Sequence, residues 1–226
     1  MFYEPDKNNH GLRFNPFKSI CVPRPIAWIS SLSVDGIPNL APFSQFTNLS
    51  FDPPMVVISA RANTDTARNV NATSEFVVNM ATYELREAVN KTSAVVPSEV
   101  DEAMLAGLEM LPSTLVKPKR VAASPVQMEC KLYSSVVIPG RLRDHGHNLI
   151  IGRVIGIHIR DEVLKDGRID IAGIRPLARM GYLDYTSVQD VFTMPPPDGP
   201  NSEQSRRGLE GRPDLPVAKP EPAEAK

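Results

Sequence analysis

Short β-rich runs punctuated by turn residues, without regular strand–helix–strand alternation, are what most limits the fold of this chain. That pattern disfavours a doubly wound sheet and points to antiparallel pairing. Residues 26–33 are β-rich, Asp35-Gly36 supplies a positive-φ turn and residues 37–41 return, which is a hairpin signature. Residues 55–60 and 76–80 are short apolar runs bounded by proline or polar residues. Residues 126–138 and 148–159 are long β-branched stretches suited to curved barrel strands. Helical spacing appears at 65–72, 83–89 and 100–108, the last ending before Pro112. The expected architecture is therefore mainly β with peripheral helices, at least six strands forming a closed antiparallel barrel.

At 226 residues, 42% of them hydrophobic, the chain can bury one substantial core. Composition shifts after Thr193, where three consecutive prolines open a run poor in large apolar residues, so the expected division is a folded domain over 1–192 and a Pro-rich tail over 193–226, disordered or draped on a partner. A net charge of −1 provides no field for nucleic acid or an anionic membrane, and the apolar clusters are too short and interrupted to cross a bilayer. Cys21 and Cys130 lie far apart with no CxxC or Cys/His clustering, which argues against structural zinc. Both read as buried thiols. With no secretory h-region near the N-terminus, a cytoplasmic location is expected.

The chemistry concentrates in residues 23–69. Asn63 or Thr64 can cap a helix that continues through Asp65, Thr66, Ala67 and Arg68. Alone that is an ordinary capped helix, but Ser59 and Arg61 end the strand just before it. Helical N–H groups, hydroxyls and a guanidinium together suit a phosphate monoester. Upstream, residues 41–48 mix Phe43 and Phe46 with Ser44, Gln45, Thr47 and Asn48. This suits a planar heteroaromatic ligand with polar edges, or equally a barrel strand with both rings facing the core. Spacing does not choose between them. Pro42, Pro53 and Pro54 keep the segment from pairing as a central strand. His145 and His147 flank Gly146 in a turn and lack a third partner for a metal, so no metal site is expected. No GxGxxG follows any strand, so a dinucleotide would bind transiently and elsewhere.

Taken in order, PRPIAWISS, the DG turn, NLAPFSQF, the Ser50–Pro54 run SFDPP, DTARN, EFVVNM, SPVQMEC, IIGRVIGIHI and RPLARMGYLDYT resemble the flavin reductase-like family, in particular its flavoredoxins and the reductase component of nitrilotriacetate monooxygenase. The resemblance implies an FMN-binding split β-barrel of antiparallel, Greek-key strands that forms a homodimer. It also implies an isoalloxazine against Ser44, Gln45, Phe46 and Thr47, and a phosphate reached by Ser59, Arg61, Thr64 and Thr66. His147 and Arg179 would lie near the flavin. The family pattern often carries a lysine where this chain has Thr64, which shifts the phosphate's charge onto Arg61.

The resemblance further implies a flavin reductase in which NAD(P)H delivers hydride to FMN, with electrons passed to a partner flavin-dependent oxygenase. No acid or base side chain is then obligatory, so no catalytic residue is assigned. The rivals are a non-catalytic flavin-binding or redox-sensing protein and a self-contained FMN oxidase or oxygenase.

Overall fold

The computed structural model describes residues 1–142, 145–197, 199, 202, 203 and 209. The chain divides into two compact units, Met1–Asp190 and Val191–Lys226. In the second, residues 191–197 carry no helix or strand, and the expected tail over 193–226 otherwise lies largely outside the described residues.

In the first unit the strands are β1 (Arg24–Pro25), β2 (Ala27–Leu32), β3 (Pro38–Phe43), β4 (Phe46–Phe51), β5 (Pro54–Arg61), β6 (Glu75–Met80), β7 (Met110–Leu111), β8 (Arg120–Val121), β9 (Val126–Ile138), β10 (His147–Ile159), β11 (Leu164–Lys165), β12 (Arg168–Ile169), β13 (Leu177–Gly181) and β14 (Asp184–Ser187). The α-helices are α1 (Asp65–Thr73), α2 (Arg86–Lys91), α3 (Glu102–Leu105) and α4 (Ile171–Ile174).

Among the described residues one seven-stranded antiparallel sheet dominates, in the order β3-β2-β6-β9-β10-β5-β4. Its edge strands, β3 and β4, are joined in sequence by Ser44 and Gln45 alone. Two residues cannot span a flat seven-stranded sheet, whose strands lie about 4.8 Å apart, so the sheet curls until its edges approach. No ladder joins β3 to β4. The barrel is thus split along this seam rather than closed, a correction to the closed barrel expected from strand pattern alone. The prolines explain the placement: Pro42 and Pro54 sit on or beside the edge strands, where a missing N–H costs least.

Curvature comes from the two 13-residue strands, β9 and β10, whose pairing shifts register between Ile151 and Gly152 and between Val154 and Gly156. At Gly152 a Cβ would come within 2.3 Å of Phe76 Cζ, so the buried ring requires glycine there. Phe76 packs in the barrel interior with Ala27, Ile29, Val56, Ile58, Cys130 and Ile150, and Phe43 and Phe46 pack against that cluster. A second cluster gathers Ile26, Trp28, Leu40, Val89, Ala103, Val121 and Leu177. Alternate residues of β2 therefore enter two different cores, which is why its sequence reads as nearly continuous apolar rather than alternating. Trp28 is wholly buried and its Nε1–H donates to Thr92 Oγ1 at 2.8 Å.

Several boundaries differ from the sequence reading. The hairpin turn closes through Ser33, whose N–H donates to Ile37 O at 2.9 Å, with positive φ at Gly36 but not at Asp35. Helix α2 starts later than Tyr83 because Thr82 bridges Pro176 and the Tyr83 N–H donates to Arg175 O at 2.9 Å. Helix α3 is shorter than expected: Asp101 caps it at Ala103 and Met104, and left-handed Gly107, well before Pro112, ends it. Cys130 is buried, and burial pushes its thiol pKa up, but Cys21 is exposed, contrary to expectation. Beyond β13 the chain turns back as β14, and β1, β13 and β14 form a separate three-stranded sheet. Gly181 allows the 3-10 turn Pro16–Ser19 to lie against β13, since a Cβ there would sit 2.7 Å from Ser19 Cβ.

Candidate functional site

Along β5, Val56, Ile58 and Ala60 point into the core, which leaves Ser59 and Arg61 on the opposite face. The antiparallel partner β10 sets His147 opposite Arg61, and Ser59 Oγ lies 3.1 Å from His147 Nδ1. On the other side of β5, the Ser59 N–H donates to Gln45 O at 2.9 Å, while Phe46 and Thr47 pair with Ile58 and Val57. Ala62 N–H donates to Gly146 O at 3.0 Å. Residues 44–47, Ser59, Arg61 and His147 therefore meet at one corner of the barrel, beside the open seam.

Here β5 passes into α1. Thr64 is the N-cap: its Oγ1 accepts from Ala67 N–H at 3.3 Å and donates to Arg61 O at 2.9 Å. That hydroxyl's only proton is committed to the turn. Thr66 is 1% exposed and its Oγ1 accepts from Asn39 Nδ2 at 2.8 Å, so its side chain faces the interior and only its amide lies in the first turn. The sequence reading gave both threonine hydroxyls to a phosphate; in this geometry the available donors are the exposed Arg61 guanidinium and the Asp65 and Thr66 N–H groups at the start of α1, since Ala67 N–H is taken by the Thr64 cap. Asp65 would repel an anion, but Arg68 pairs with it and Ser98 Oγ donates to it at 2.6 Å.

Arg179 lies on the smaller sheet, opposite Arg24 on β1 and Tyr185 on β14, with its guanidinium carbon 4.4 Å from the centre of the Tyr185 ring. His158 is bound structurally, its Nε2 2.6 Å from Glu129 Oε1.

Sequence reasoning missed the groups that hold the corner in place. Asn39 also donates to Ser31 Oγ, as does Asn69 from α1, both at 3.3 Å, which ties the helix to the β2–β3 hairpin. The usable signal was a buried amide in the otherwise apolar NLAPF run. Glu129 was the second omission, a carboxylate inside the apolar β9. It accepts from the N–H groups of Thr114, Leu115 and Val116 at 2.7, 2.6 and 3.2 Å. Burial alone would raise its pKa, but those amides and His158 outweigh burial and hold it below the ordinary carboxylate value.

A phosphate-bearing planar ligand fits this corner. Arg61 and the start of the nine-residue α1 suit the phosphate, while the Ser44–Thr47 segment runs beside them along β5 at the seam. An antiparallel split barrel with a guanidinium and a helix N-terminus at one strand-to-helix junction is the fold of the flavin reductase-like class. The Flavin reductase like domain model matches residues 19–180, and the chain belongs to that family. A protein of Halalkalibacterium halodurans, described as uncharacterized, is 32% identical over 91% of this chain and all of its own. Among solved structures, nitrilotriacetate monooxygenase component B from Bacillus cereus superposes with a TM-score of 0.80 at 27% identity, covering 86% of this chain and 98% of that one. The Pseudomonas fluorescens 2-nitrobenzoate 2-nitroreductase gives 0.75 at 26% identity, covering 87% and 96%.

Proposed function

We propose that the protein is an FMN-binding flavin reductase that uses NAD(P)H, works as a homodimer in the reducing cytoplasm and passes electrons to a partner flavin-dependent oxygenase. The observation that carries this reading is the convergence of Arg61, the N-terminus of α1, the Ser44–Thr47 segment and the Ser59–His147 pair at the open seam. The likeness to a protein named as one component of a monooxygenase supports the partner.

Arg61 and the first-turn amides of α1 hold the phosphate, with Arg61 carrying the charge that a lysine in place of Thr64 would share. Ser44, Gln45, Phe46 and Thr47 line the isoalloxazine, with the Phe46 ring anchored in the core. His147 Nδ1 and Ser59 Oγ share one proton, which orients the imidazole beside the corner. FMN, when bound, supplies the two-electron acceptor for the hydride of NAD(P)H. The residues bind and align, and none has to transfer a proton.

Anaerobic stopped-flow mixing of the FMN-loaded protein with NADH and with NADPH tests the reading. Bleaching of the oxidised-flavin absorbance by at least one nucleotide is expected. Flavin that stays oxidised with both would refute a reductase.

A further inference from the structure

A cavity of about 310 Å³ opens between the β2–β3 hairpin, α3 and the loop that leads into β8. Strand alternation gives the hairpin two faces. Ser31 and Asn39 stand opposite each other and turn their side chains to α1, where Asn39 reaches Thr66 and Asn69 reaches Ser31. Ser30, Leu32, Pro38 and Leu40 face the other way, into the cavity. Leu40 and Ala103 bring the margin of the second core to it, and Met110 packs against that margin. Ser30 Oγ donates to Lys119 O at 2.5 Å, which fixes the loop to the hairpin. Lys117 and Lys119, both exposed, add two ammonium groups to the lining.

Among the described residues, no carboxylate lies in ion-pair contact with either ammonium. The acids beside them are drawn onto main-chain donors instead. Asp101, which also lines the cavity, accepts through Oδ1 from the Ala103 and Met104 N–H groups at 2.9 and 3.2 Å, and Glu75 Oε2 accepts from the Lys117 N–H at 2.9 Å. Two ammonium groups without acid partners call for an anion, and Leu32, Leu40 and Met110 call for an apolar body on it. The lining has no aromatic ring on which a base could stack and no arginine fork for a phosphate ester. Its volume stands at the low end for a small-molecule pocket, too little for a peptide or a two-chain lipid.

We infer that this cavity binds a small organic carboxylate, with its apolar body against Leu32, Leu40 and Met110 and its charge at Lys117 and Lys119. The site goes beyond the reductase reading and does not rest on it. It uses the face of the hairpin opposite to α1, and none of the residues assigned to the flavin corner lines it.

Calorimetric titration of the full-length protein with phenylacetate and with hexanoate tests the cavity. Saturable binding of at least one is expected. Phenylacetamide, which lacks the charge, and acetate, which lacks the apolar body, should each bind about fivefold more weakly or worse. Lys117→Ala and Lys119→Ala should each weaken the carboxylate by about fivefold or more, and the double replacement should remove its binding. Both changes keep the main-chain bonds to Glu75 and Ser30, so the melting curve should stay near that of the parent. Arg61→Ala should leave carboxylate binding unchanged. No saturable binding of either acid, an amide that binds as tightly as the acid, or binding that survives the double replacement overturns the inference. Loss of binding on Arg61→Ala also overturns it, by assigning the carboxylate to the flavin corner.

Discussion

Arg61 is the residue on which the proposed flavin corner depends most, because the neighbouring hydroxyls are already engaged. Thr64 spends its proton on Arg61 O and Thr66 turns inward to Asn39. A charge-assisted contact to phosphate is worth about 1.5–3 kcal/mol, so Arg61→Ala should weaken FMN binding by about 10- to 100-fold. Being exposed, the side chain supports little of the core, and the thermal midpoint of the flavin-free variant should stay near that of the parent. Fluorescence titration of FMN together with a melting curve checks both halves. Residue types announced this corner in the sequence: a strand ending in Ser59 and Arg61 directly before a capped helix is visible as text. Which hydroxyl faces outward was not visible. That depends on helix phase and on Asn39, 27 residues upstream of Thr66, and a side chain's direction is fixed only once the two elements pack.

Among the elements, the loop over residues 113–119 is held chiefly by Glu129, with Glu75 accepting from Lys117 N–H at 2.9 Å beside it. Glu129 on β9 takes three consecutive backbone amides and His158 on β10, so two barrel strands grip the loop through one side chain. Its folded pKa lies below the ordinary 4.5, so the stabilisation is fully present above about pH 4.5 and is lost as pH falls through the lower folded value. Glu129→Gln should destabilise the protein by about 2–3 kcal/mol at neutral pH and flatten the acid limb of its stability profile. Urea unfolding at a series of pH values between neutrality and the acid transition measures both. Pattern alone located most of the main-sheet strands, because β-branched runs bounded by turns carry their own limits. It misjudged α2 and α3, whose starts and stops are set by the Thr82–Pro176 bridge and by Asp101 and Gly107. It also passed over β14, which has no apolar alternation and exists because β13 offers it a ladder.

For the whole molecule, β9 and β10 leave Tyr133, Val137 and Ile157 exposed on the longest strands of the sheet. Apolar surface of that kind on a folded barrel marks an interaction face, and the proposed homodimer would cover it. Sedimentation of the full-length protein should give twice the mass of one chain, and a single-chain mass at micromolar concentration would remove the dimer from the functional reading. No helix among the described residues is long and apolar enough to cross a membrane. The barrel itself was legible from strand composition and the lack of strand–helix alternation; the split was legible only through the family resemblance, since pattern alone does not say which strands end up at the edges. The two-residue link between β3 and β4 makes the main sheet a clamp whose jaws are tethered by a short cord and not zipped together. A flat guest laid along that gap breaks no ladder and completes none, so the loaded and empty forms can share one backbone. Exchange of the guest then needs no unfolding step.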